Sequence, residues 1–380
     1  MDHVRIGVVG MGNIGRFHAE YLRAGKVGRC QLAAVCSTSP GKLGDWKAGG
    51  VPVFGDALEL IHSGLADAVL LATPHFQHVP LGIAALDRGL HLLSEKPIAA
   101  HKADAGRLIA AHRQNAGLVF ACMYQFRAEP RFLKIRRILR EGRLGQIVRV
   151  NWINTDWYRT EAYYSSGGWR ATWQGEGGGV LLNQCLHNLD TLQWLCGMPS
   201  RVRGFCQLGR FHQIEVEDNV TAYLEWPNGA TGAFVSSTGE APGANRLEIA
   251  GTLGRLLLEN EKLTLVQNDA DMIEFSRTAP QGFLKPASRP EQIPYENAAA
   301  PHADLTRNFV DAILDGAPLI APGAEGLHAL ELANAIVYSS LQGATIDLPL
   351  DGAAWEKKLN ELIAKSPRVL KKCSENVKTL

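Results

Sequence analysis

The sequence lacks a long apolar run, an excess of one charge and a regular cysteine pattern, and each absence excludes a class of protein. No stretch approaches the roughly 20 apolar residues that cross a membrane as a helix. The 39 basic and 38 acidic residues leave a formal charge of +1, and no run of like charge indicates a nucleic-acid or membrane partner. The seven cysteines are odd in number and irregularly spaced, which favours reduced thiols over disulfides or zinc ligands.

A secretory signal, internal repeats and low-complexity segments are missing as well. Apolar strand residues begin near position 4, so no charged segment followed by an apolar one precedes them. We therefore expect a globular cytoplasmic protein.

The length of 380 residues exceeds the usual size of a single core and predicts two domains. Short apolar runs alternate with helical patterns through the first third of the chain. This alternation predicts an α/β fold with a doubly wound, mostly parallel sheet, which we assign to residues 1–123. The predicted strands are 4–9, 32–36, 51–54, 68–72, 90–94 and 118–122.

A second α/β domain, with a large open and mainly antiparallel sheet, is predicted at residues 124–350. A helix is expected at 128–142 and another at 178–196. Several Pro, Gly and Asn residues at 268–300 predict a loop. The predicted strands of this domain are 147–155, 201–207, 218–226, 230–237 and 246–250.

Helical patterns return at the end of the chain. Two helices, at 302–315 and 324–341, can pack back on the first domain, and residues 351–380 are expected to form a C-terminal helix and tail.

A glycine motif follows the first predicted strand and opens a helical pattern. Gly10 permits a tight turn, Gly12 lets the backbone approach a pyrophosphate, and Gly15 allows the helix to pack on its strand. The helix start, with Asn13 and Ile14, then offers free amides and a positive dipole end to a phosphate. The spacing and context predict a dinucleotide-binding domain.

The end of the second strand should select the cofactor. NAD-binding domains usually carry an acid there for the ribose hydroxyls, whereas this chain has Ser37. Thr38 and Lys42 follow, and Arg16 lies just after the last glycine. The cofactor is NAD or NADP, with NADP slightly favoured; the alternative is that these residues form only a polar turn and helix cap.

Two polar segments follow the fourth and fifth predicted strands, where an α/β sheet places its ligand site. The first segment contains Thr73, Pro74, His75 and His78, which we predict to contact the cofactor. The second is Glu95-Lys96-Pro97. No carboxylate or cysteine joins the histidines at ligand spacing, so no metal is assigned.

Glu95-Lys96-Pro97, with the glycine motif before it and Gly177-Gly178-Gly179 and His187-Asn188-Leu189-Asp190 after it, resembles the Gfo/Idh/MocA family. The resemblance covers nearly the whole chain, including Asn308 to Gly316, and leaves out only the tail beyond about residue 350. It implies a Rossmann domain followed by an α/β domain with an open sheet that commonly forms dimer or tetramer interfaces. It therefore implies a homodimer or homotetramer.

Lys96 is the candidate acid/base. A partly buried lysine beside a positively charged oxidised cofactor should exchange protons near neutrality, although a lone lysine after a strand is more often solvated. The family resemblance implies the same role, and a cis bond between Lys96 and Pro97. Glu95 is assigned to cofactor contact or to structure.

His187 is the second catalytic candidate. Within a helix over 178–196, Asn183, His187 and Asp190 would share one face. The family resemblance implies that His187 binds the substrate oxygen and exchanges its proton with Lys96; the alternative is a buried histidine satisfied by Asp190. Asn183 stands where inositol dehydrogenases commonly have aspartate, and an amide orients substrate but is no base.

Aromatic residues and arginines concentrate before the glycine run, where they suit a carbohydrate or cyclitol pocket or, alternatively, an oligomer interface. Asp156, Arg159, Tyr163 and Trp169 are the candidate substrate residues in this segment. Gln125 and Arg127 can also face the cleft. His212, Glu215, Glu217 and Asp218 are interpreted as a loop and strand edge.

These features predict an NAD(P)-dependent oxidoreductase that interconverts a secondary alcohol and a ketone on a sugar, cyclitol or sugar derivative. Two alternatives stay open. One is a glycoside hydrolase or lyase that oxidises its substrate transiently with a tightly bound NAD. The other is a non-catalytic sugar sensor that retains the nucleotide.

Overall fold

Two sheets organise the chain in a computed structural model that describes residues 2–296 and 300–366. The first sheet is parallel throughout. Its strands are β1 (Val4–Val9), β2 (Cys30–Cys36), β3 (Val53–Phe54), β4 (Ala68–Leu71), β5 (His91–Ser94) and β6 (Phe120–Cys122). They lie in the order β3-β2-β1-β4-β5-β6, which is the doubly wound dinucleotide-binding arrangement.

Helices cover both faces of this sheet, which explains why its strands are almost wholly apolar. Ile6 and Val8 of β1 and Leu70 of β4 are fully buried. The helices are α1 (Asn13–Arg23), α2 (Gly44–Ala48), α3 (Ala57–His62), α4 (His75–Asp87) and α5 (Lys102–Gln114).

The second sheet has nine strands and is mainly antiparallel. They are β7 (Ile147–Asn154), β8 (Arg201–Leu208), β9 (Glu217–Glu225), β10 (Thr231–Ser237), β11 (Asn245–Gly251), β12 (Gly254–Glu259), β13 (Lys262–Asn268), β14 (Ser288–Gln292) and β15 (Ile346–Asp347). The order is β14-β13-β12-β11-β7-β10-β9-β8-β15, with β7 and β10 parallel. The predicted α/β fold with its two different sheets is confirmed.

Alternation on β9 shows how the second sheet forms its core. Val220, Ala222 and Leu224 are buried on one face, while Thr221 and Tyr223 are exposed on the other. The remaining helices are α6 (Pro130–Arg140), α7 (Glu161–Ser165), α8 (Leu186–Cys196), α9 (Met272–Thr278), α10 (Pro301–Asp315), α11 (Gly326–Gln342) and α12 (Gly352–Lys365).

Two late helices join the halves of the molecule. Helix α10 packs against β1 and β5 of the first sheet, and Thr306 on it hydrogen-bonds Tyr21 of α1 at 2.7 Å. Helix α11 contacts α5 on one side and α8 and β8 on the other.

The helix predicted over 178–196 begins only at Leu186, so this prediction is wrong for its first half. Residues 178–185 form turns instead. Glycine disfavours helix. The Glu217 carboxylate also accepts the backbone N–H groups of Gly179 and Leu181, and these hydrogen bonds stabilise the turns. Asn183 therefore does not share a helix face with His187.

The predicted loop at 268–300 contains α9 and the edge strand β14. Pro290 lies in β14. Because proline is tolerated in an edge strand, the prolines of this segment did not exclude a strand, although they favoured the prediction of a loop. Strands β12 and β13 were not predicted. The C-terminal helix is α12, while Cys373 and the rest of the predicted tail beyond residue 366 lie outside the described residues.

No helix in the two described ranges is both long enough and apolar enough to span a membrane. The six cysteines that the structure describes are free thiols.

Candidate active site

The glycine motif forms a tight turn between β1 and α1. Gly10 has φ +97°, and a Cβ there would lie 2.5 Å from the Ala72 carbonyl oxygen. A Cβ at Gly15 would lie 1.8 Å from the Gly10 carbonyl oxygen. A Cβ at Gly12 meets nothing within 4 Å, and α1 has no side-chain cap. Free helix amides beside open space, near the exposed Asn13 and Ile14, fit a pyrophosphate.

The turn after β2 gathers the predicted cofactor-selecting residues. Ser37 Oγ accepts a hydrogen bond from the Ser39 amide at 3.1 Å, so this serine also stabilises its own turn. Arg16 Nη2 donates to the Lys42 carbonyl oxygen at 3.3 Å, which brings its guanidinium to this turn. Thr38 and the Lys42 side chain are exposed. The Arg16 guanidinium therefore lies beside the turn after β2, which also contains Lys42.

His75 and His78 connect the end of β4 to the neighbouring loops. His75 Nδ1 lies 2.9 Å from the Glu176 carbonyl oxygen, and His78 contacts the carbonyl oxygens of Pro97 and Thr73 at 2.6 and 2.8 Å. Burial lowers the pKa of His75 to about 3 and also lowers that of His78. Pro74 is the N-cap of α4, and the buried Thr73 hydroxyl has no partner among the described residues.

Lys96 lies just beyond β5, and its bond to Pro97 is cis. Its Nζ donates to the Asn183 carbonyl oxygen at 2.7 Å. Burial lowers the pKa of Lys96, while the negative charges of Glu95 and Glu176 oppose that effect. The ammonium group is thus held against the turn that contains Asn183 and is easier to deprotonate than that of a surface lysine.

Glu95 is buried behind Lys96. Its Oε1 lies 2.7 Å from His18 Nε2, and its Oε2 accepts the Lys96 backbone N–H at 3.2 Å. Burial raises the pKa of Glu95, but the hydrogen bond and charge of His18, together with the charges of Lys96 and His302, outweigh burial and lower it to about 2. The carboxyl group is therefore anionic at neutral pH.

His187 lies at the start of α8, where burial and the charge of Lys96 keep its pKa well below the usual value. Its ring packs 5.1 Å from that of Phe126, and its Nε2 lies 3.3 Å from Gln125 Nε2. His187 Nδ1 is buried without a partner in the described structure. A neutral imidazole with an unused nitrogen can hydrogen-bond a substrate oxygen.

The interpretation in which Asp190 satisfies His187 is wrong. The Asp190 carboxylate binds the Arg127 guanidinium through Nε at 2.8 Å and Nη2 at 2.7 Å. Glu325 contacts the same guanidinium. Arg127 is fully buried in this cluster, a geometry that favours a structural role over substrate binding.

Glu176 is buried beside Asn183 and Arg170, and the sequence analysis did not identify it. Its carboxylate accepts the Ala171 backbone N–H at 2.5 Å and the Asn183 side-chain amide, and Arg170 Nη1 lies 3.9 Å away. Burial raises its pKa. The signal was its place directly before three glycines, whose missing side chains allow close packing around a buried carboxyl.

Three of the predicted substrate residues, Arg159, Tyr163 and Trp169, lie in one aromatic and basic cluster. Tyr163 OH accepts hydrogen bonds from Arg170 and Gln184 at 2.8 and 3.0 Å. The Arg159 guanidinium lies 5.1 Å from the Tyr163 ring, and Arg170 lies 4.7 Å from the Trp169 ring. Trp169 in turn contacts His75 edge-on at 5.6 Å, which connects this cluster to the start of α4.

Asp156 is exposed and is bound elsewhere, to the side chains of Asn154 and Asn245 at 2.9 and 3.2 Å. Across the described part of the chain, no three His, Cys, Asp or Glu side chains are grouped so that they could hold a metal ion.

Two family models match the chain. Residues 4–122 match the oxidoreductase family with an NAD-binding Rossmann fold, and residues 132–257 match the GFO/IDH/MocA C-terminal domain. The chain belongs to the Gfo/Idh/MocA family. It is therefore an oxidoreductase with an NAD-binding Rossmann domain, as the sequence predicted.

Curated Gfo/Idh/MocA relatives are distant in sequence. The myo-inositol 2-dehydrogenase of Thermotoga maritima is 24% identical over 91% of this chain and 98% of its own length. The 1,5-anhydro-D-fructose reductase of Ensifer adhaerens is 24% identical over 76% of this chain and 82% of its own. The match to the Escherichia coli oxidoreductase YdgJ, at 29% identity, covers 52% of this chain and 55% of YdgJ.

Solved Gfo/Idh/MocA structures match over most of the chain. The WlbA dehydrogenase of Bordetella pertussis, in complex with NADH and UDP-GlcNAcA, is 28% identical with a TM-score of 0.77 and covers 92% of this chain and 100% of its own. Levoglucosan dehydrogenase with NADH and levoglucosan is 20% identical with a TM-score of 0.75 over 92% and 100%, and this likeness concerns the fold alone.

Proposed function

We propose that this protein interconverts a secondary alcohol and a ketone on a sugar, cyclitol or sugar derivative, with Lys96 as acid/base and His187 as its partner. The observation that carries the proposal is the position of Lys96 Nζ. It lies beyond β5, at the same edge of the parallel sheet as the glycine turn after β1, and is held 2.7 Å from the Asn183 carbonyl oxygen.

Lys96 exchanges the proton of the substrate hydroxyl. A bound nicotinamide supplies the acceptor or donor for the hydride. During oxidation the O–H bond breaks as its proton passes to the neutral Lys96 amine, and the hydrogen on the same carbon leaves as hydride. Because burial lowers the pKa of Lys96, the amine is available at lower pH than in a solvated lysine.

His187 orients the reacting oxygen. Its neutral ring and unpartnered Nδ1 support a hydrogen bond to that oxygen, and the Gln125 amide fixes the other nitrogen. Asn183 binds Glu176 through its side chain and Lys96 through its carbonyl, so it positions the lysine and borders the substrate.

The aromatic and basic cluster around Tyr163 supports a carbohydrate substrate. Aromatic faces such as that of Trp169 pack on sugar C–H surfaces, while Arg159 donates to hydroxyl oxygens. The inositol, anhydrofructose and levoglucosan named for relatives support the same class. Arg127 binds Asp190, and Asp156 binds Asn154 and Asn245, which favours structural roles for both residues. Their contacts with substrate stay predictions.

The cofactor proposal is NAD or NADP, with NADP slightly favoured. The residue that follows β2 is Ser37 rather than an acid, and Arg16 donates to the Lys42 carbonyl oxygen in the turn beyond it. Relatives crystallised with NADH support NAD equally.

A homodimer or homotetramer is proposed because the outer face of the second sheet presents Phe205 and Tyr223, which are 56% and 43% exposed. Light scattering on the purified protein measures this directly, and a monomeric mass would contradict it.

The test follows reduced-nicotinamide absorbance with NAD or NADP and a panel of sugars, inositols and glycosides. We expect one substrate class to reduce the cofactor, and Lys96→Met to lower kcat by about 100-fold or more without unfolding. Lys285→Met, at an exposed lysine before β14, is the matched control. Unchanged turnover in Lys96→Met would contradict the proposal, and glycoside cleavage without net cofactor reduction would replace it with transient oxidation.

A further inference from the structure

A buried chain of hydrogen bonds runs from helix α10 to the acid/base centre. Thr306 Oγ1 lies 2.7 Å from Tyr21 OH, and Tyr21 OH lies 2.7 Å from His18 Nδ1. His18 Nε2 continues to Glu95 Oε1 at 2.7 Å. The other carboxylate oxygen of Glu95 accepts the Lys96 backbone N–H. All four side chains are buried, and those of His18 and Thr306 have no exposed surface.

We propose that His18, Tyr21 and Thr306 are positioning residues of the acid/base centre, whose hydrogen-bonded chain fixes the Glu95 carboxylate beside Lys96 and so links helix α10 to proton transfer. This inference rests on the proposed function for its catalytic part. It adds three residues, from α1 and α10, to the acid/base centre.

The donors and acceptors of this chain are fully matched. A carboxylate only accepts, so His18 Nε2 must donate to Glu95. Neutral His18 then accepts at Nδ1 from the Tyr21 hydroxyl, which accepts in turn from Thr306. If His18 is cationic, its Nδ1 instead donates to the Tyr21 hydroxyl, and Tyr21 donates to Thr306. Removing one member leaves a buried polar group without a partner, which is costly.

The electrostatic consequence falls on Glu95. Burial alone raises the pKa of a carboxyl group, and the hydrogen bond from His18 is the largest of the effects that together overcome burial here, ahead of the charges of His18 and Lys96. The anionic Glu95 then supports the ammonium form of Lys96 against the burial of that lysine. A hydrogen bond made by α1 thus determines the charge beside the catalytic lysine.

Other charged and titratable groups also face this chain. His302 packs 5.8 Å from the His18 ring, and burial lowers its pKa to about 4, so it adds no positive charge at neutral pH. Besides Glu95, the charged or titratable groups that shift the pKa of Lys96 are Glu176, Arg170 and Cys122. The positive charge of Lys96 in turn lowers the pKa of His75, His78 and His187.

The first experiment measures the free energy of unfolding of the full chain at pH 5 and pH 8. His18→Phe removes the donor to Glu95, whereas His18→Gln keeps an N–H donor, and both lack a titrating imidazole. In His18→Phe the pKa of Glu95 in the folded state should rise above its value in the unfolded chain. The folded state then binds a proton that the unfolded state has already lost, so the free energy of unfolding falls as pH rises. We expect the unfolding constant of His18→Phe, relative to His18→Gln, to increase about tenfold or more between pH 5 and pH 8.

A double-variant cycle assigns this effect to Glu95. In the Glu95→Gln background, the difference between His18→Phe and His18→Gln should lose its pH dependence. Glu20→Gln removes an exposed carboxylate from the same helix and is expected to change nothing. If His18→Phe does not fold, Tyr21→Phe, which leaves His18 Nδ1 without its partner, should show the same sign with a smaller size. A pH-independent difference in either series overturns the proposal.

The second experiment measures turnover. Thr306→Val should lower kcat by roughly three- to tenfold while the dissociation constant for the dinucleotide stays unchanged, and Thr306→Ser should restore kcat. An unchanged kcat in Thr306→Val contradicts the link to α10. Failure of Lys96→Met to affect turnover instead contradicts the proposed function, and the unfolding experiment still decides the His18–Glu95 pair.

Discussion

Arg127 and Asp190 form a bidentate ion pair from which solvent is fully excluded, with N–O distances of 2.8 and 2.7 Å. The pair joins the segment after β6 to helix α8, directly behind His187. Since both charges are desolvated, each depends on the other for its stability in the core.

We expect Arg127→Met to lower the free energy of unfolding by about 3–5 kcal/mol, because it leaves the Asp190 carboxylate buried without its partner. Arg137→Met breaks an exposed pair with Glu141 and should cost less than about 1 kcal/mol. Urea denaturation of both variants measures the difference. If both variants lost the same free energy of unfolding, the buried pair would contribute no more to stability than the exposed one, which would contradict this prediction.

Gly12 and Gly15 should fail in different ways when replaced by alanine. A Cβ at Gly15 would lie 1.8 Å from a backbone oxygen, so Gly15→Ala should destabilise the fold by about 1–3 kcal/mol or more. A Cβ at Gly12 meets only open space, so Gly12→Ala should stay within about 0.5 kcal/mol of the parent. It should nevertheless weaken dinucleotide binding, because the methyl group occupies the approach of the pyrophosphate. Thermal melting and dinucleotide titration separate the two effects, and unweakened binding by Gly12→Ala would contradict the assigned pyrophosphate position.

Glu217 should make the protein less stable as pH rises. Burial raises its pKa to about 7, above the ordinary value of 4.5 that applies to the unfolded chain. Between these pH values the folded state holds a proton that the unfolded state has lost, so stability falls with pH until both states are ionised above about pH 7. The total penalty is on the order of 3 kcal/mol.

Glu217→Gln keeps an oxygen for the Gly179 and Leu181 amides and removes the ionisation. Its stability relative to the parent should therefore improve between pH 5 and pH 8 in urea denaturation. Glu274→Gln, at an exposed carboxylate of α9, serves as the control. A parallel pH dependence in the parent and Glu217→Gln would refute the assignment.

Arg16 and Lys42 should affect NADP more than NAD. Replacing both by alanine removes two cations from the turn after β2, where a 2′-phosphate would lie. We expect KM for NADP to rise about tenfold or more, with KM for NAD changed by less than about threefold. Initial rates with each cofactor measure this. Equal changes for both cofactors would indicate that the turn only shapes the loop.

The sequence predicted those parts of the molecule whose signals are local. The apolar strand before Gly10 and the strand ends at Thr73 and Glu95 have short-range patterns, and the family resemblance agreed with them. Parallel strands bring their carboxyl ends to one edge, so the placement of these segments near each other followed from order alone.

Long-range pairing defeated the same reasoning. Asp190 lies three residues after His187 and was a natural partner for it, yet it binds Arg127, 63 residues away in sequence. Asn183 contributes its carbonyl rather than a helix face, because the Glu217 carboxylate holds the preceding turn. Neither partner choice is encoded in spacing along the chain, since both depend on which buried charges meet after the two sheets pack.

Helix α10 gives the nucleotide-binding half a dependence on synthesis order. Tyr21 lies in α1 and Arg29 in the turn before β2, but their partners Thr306 and Asp315 are translated almost 300 residues later. Helix α10 packs against β1 and β5. During synthesis on the ribosome, these two strands therefore lack that contact until α10 leaves the exit tunnel. A fragment ending at residue 123 would therefore expose surface that the whole chain covers, and chaperones would meet this half as an unfinished unit.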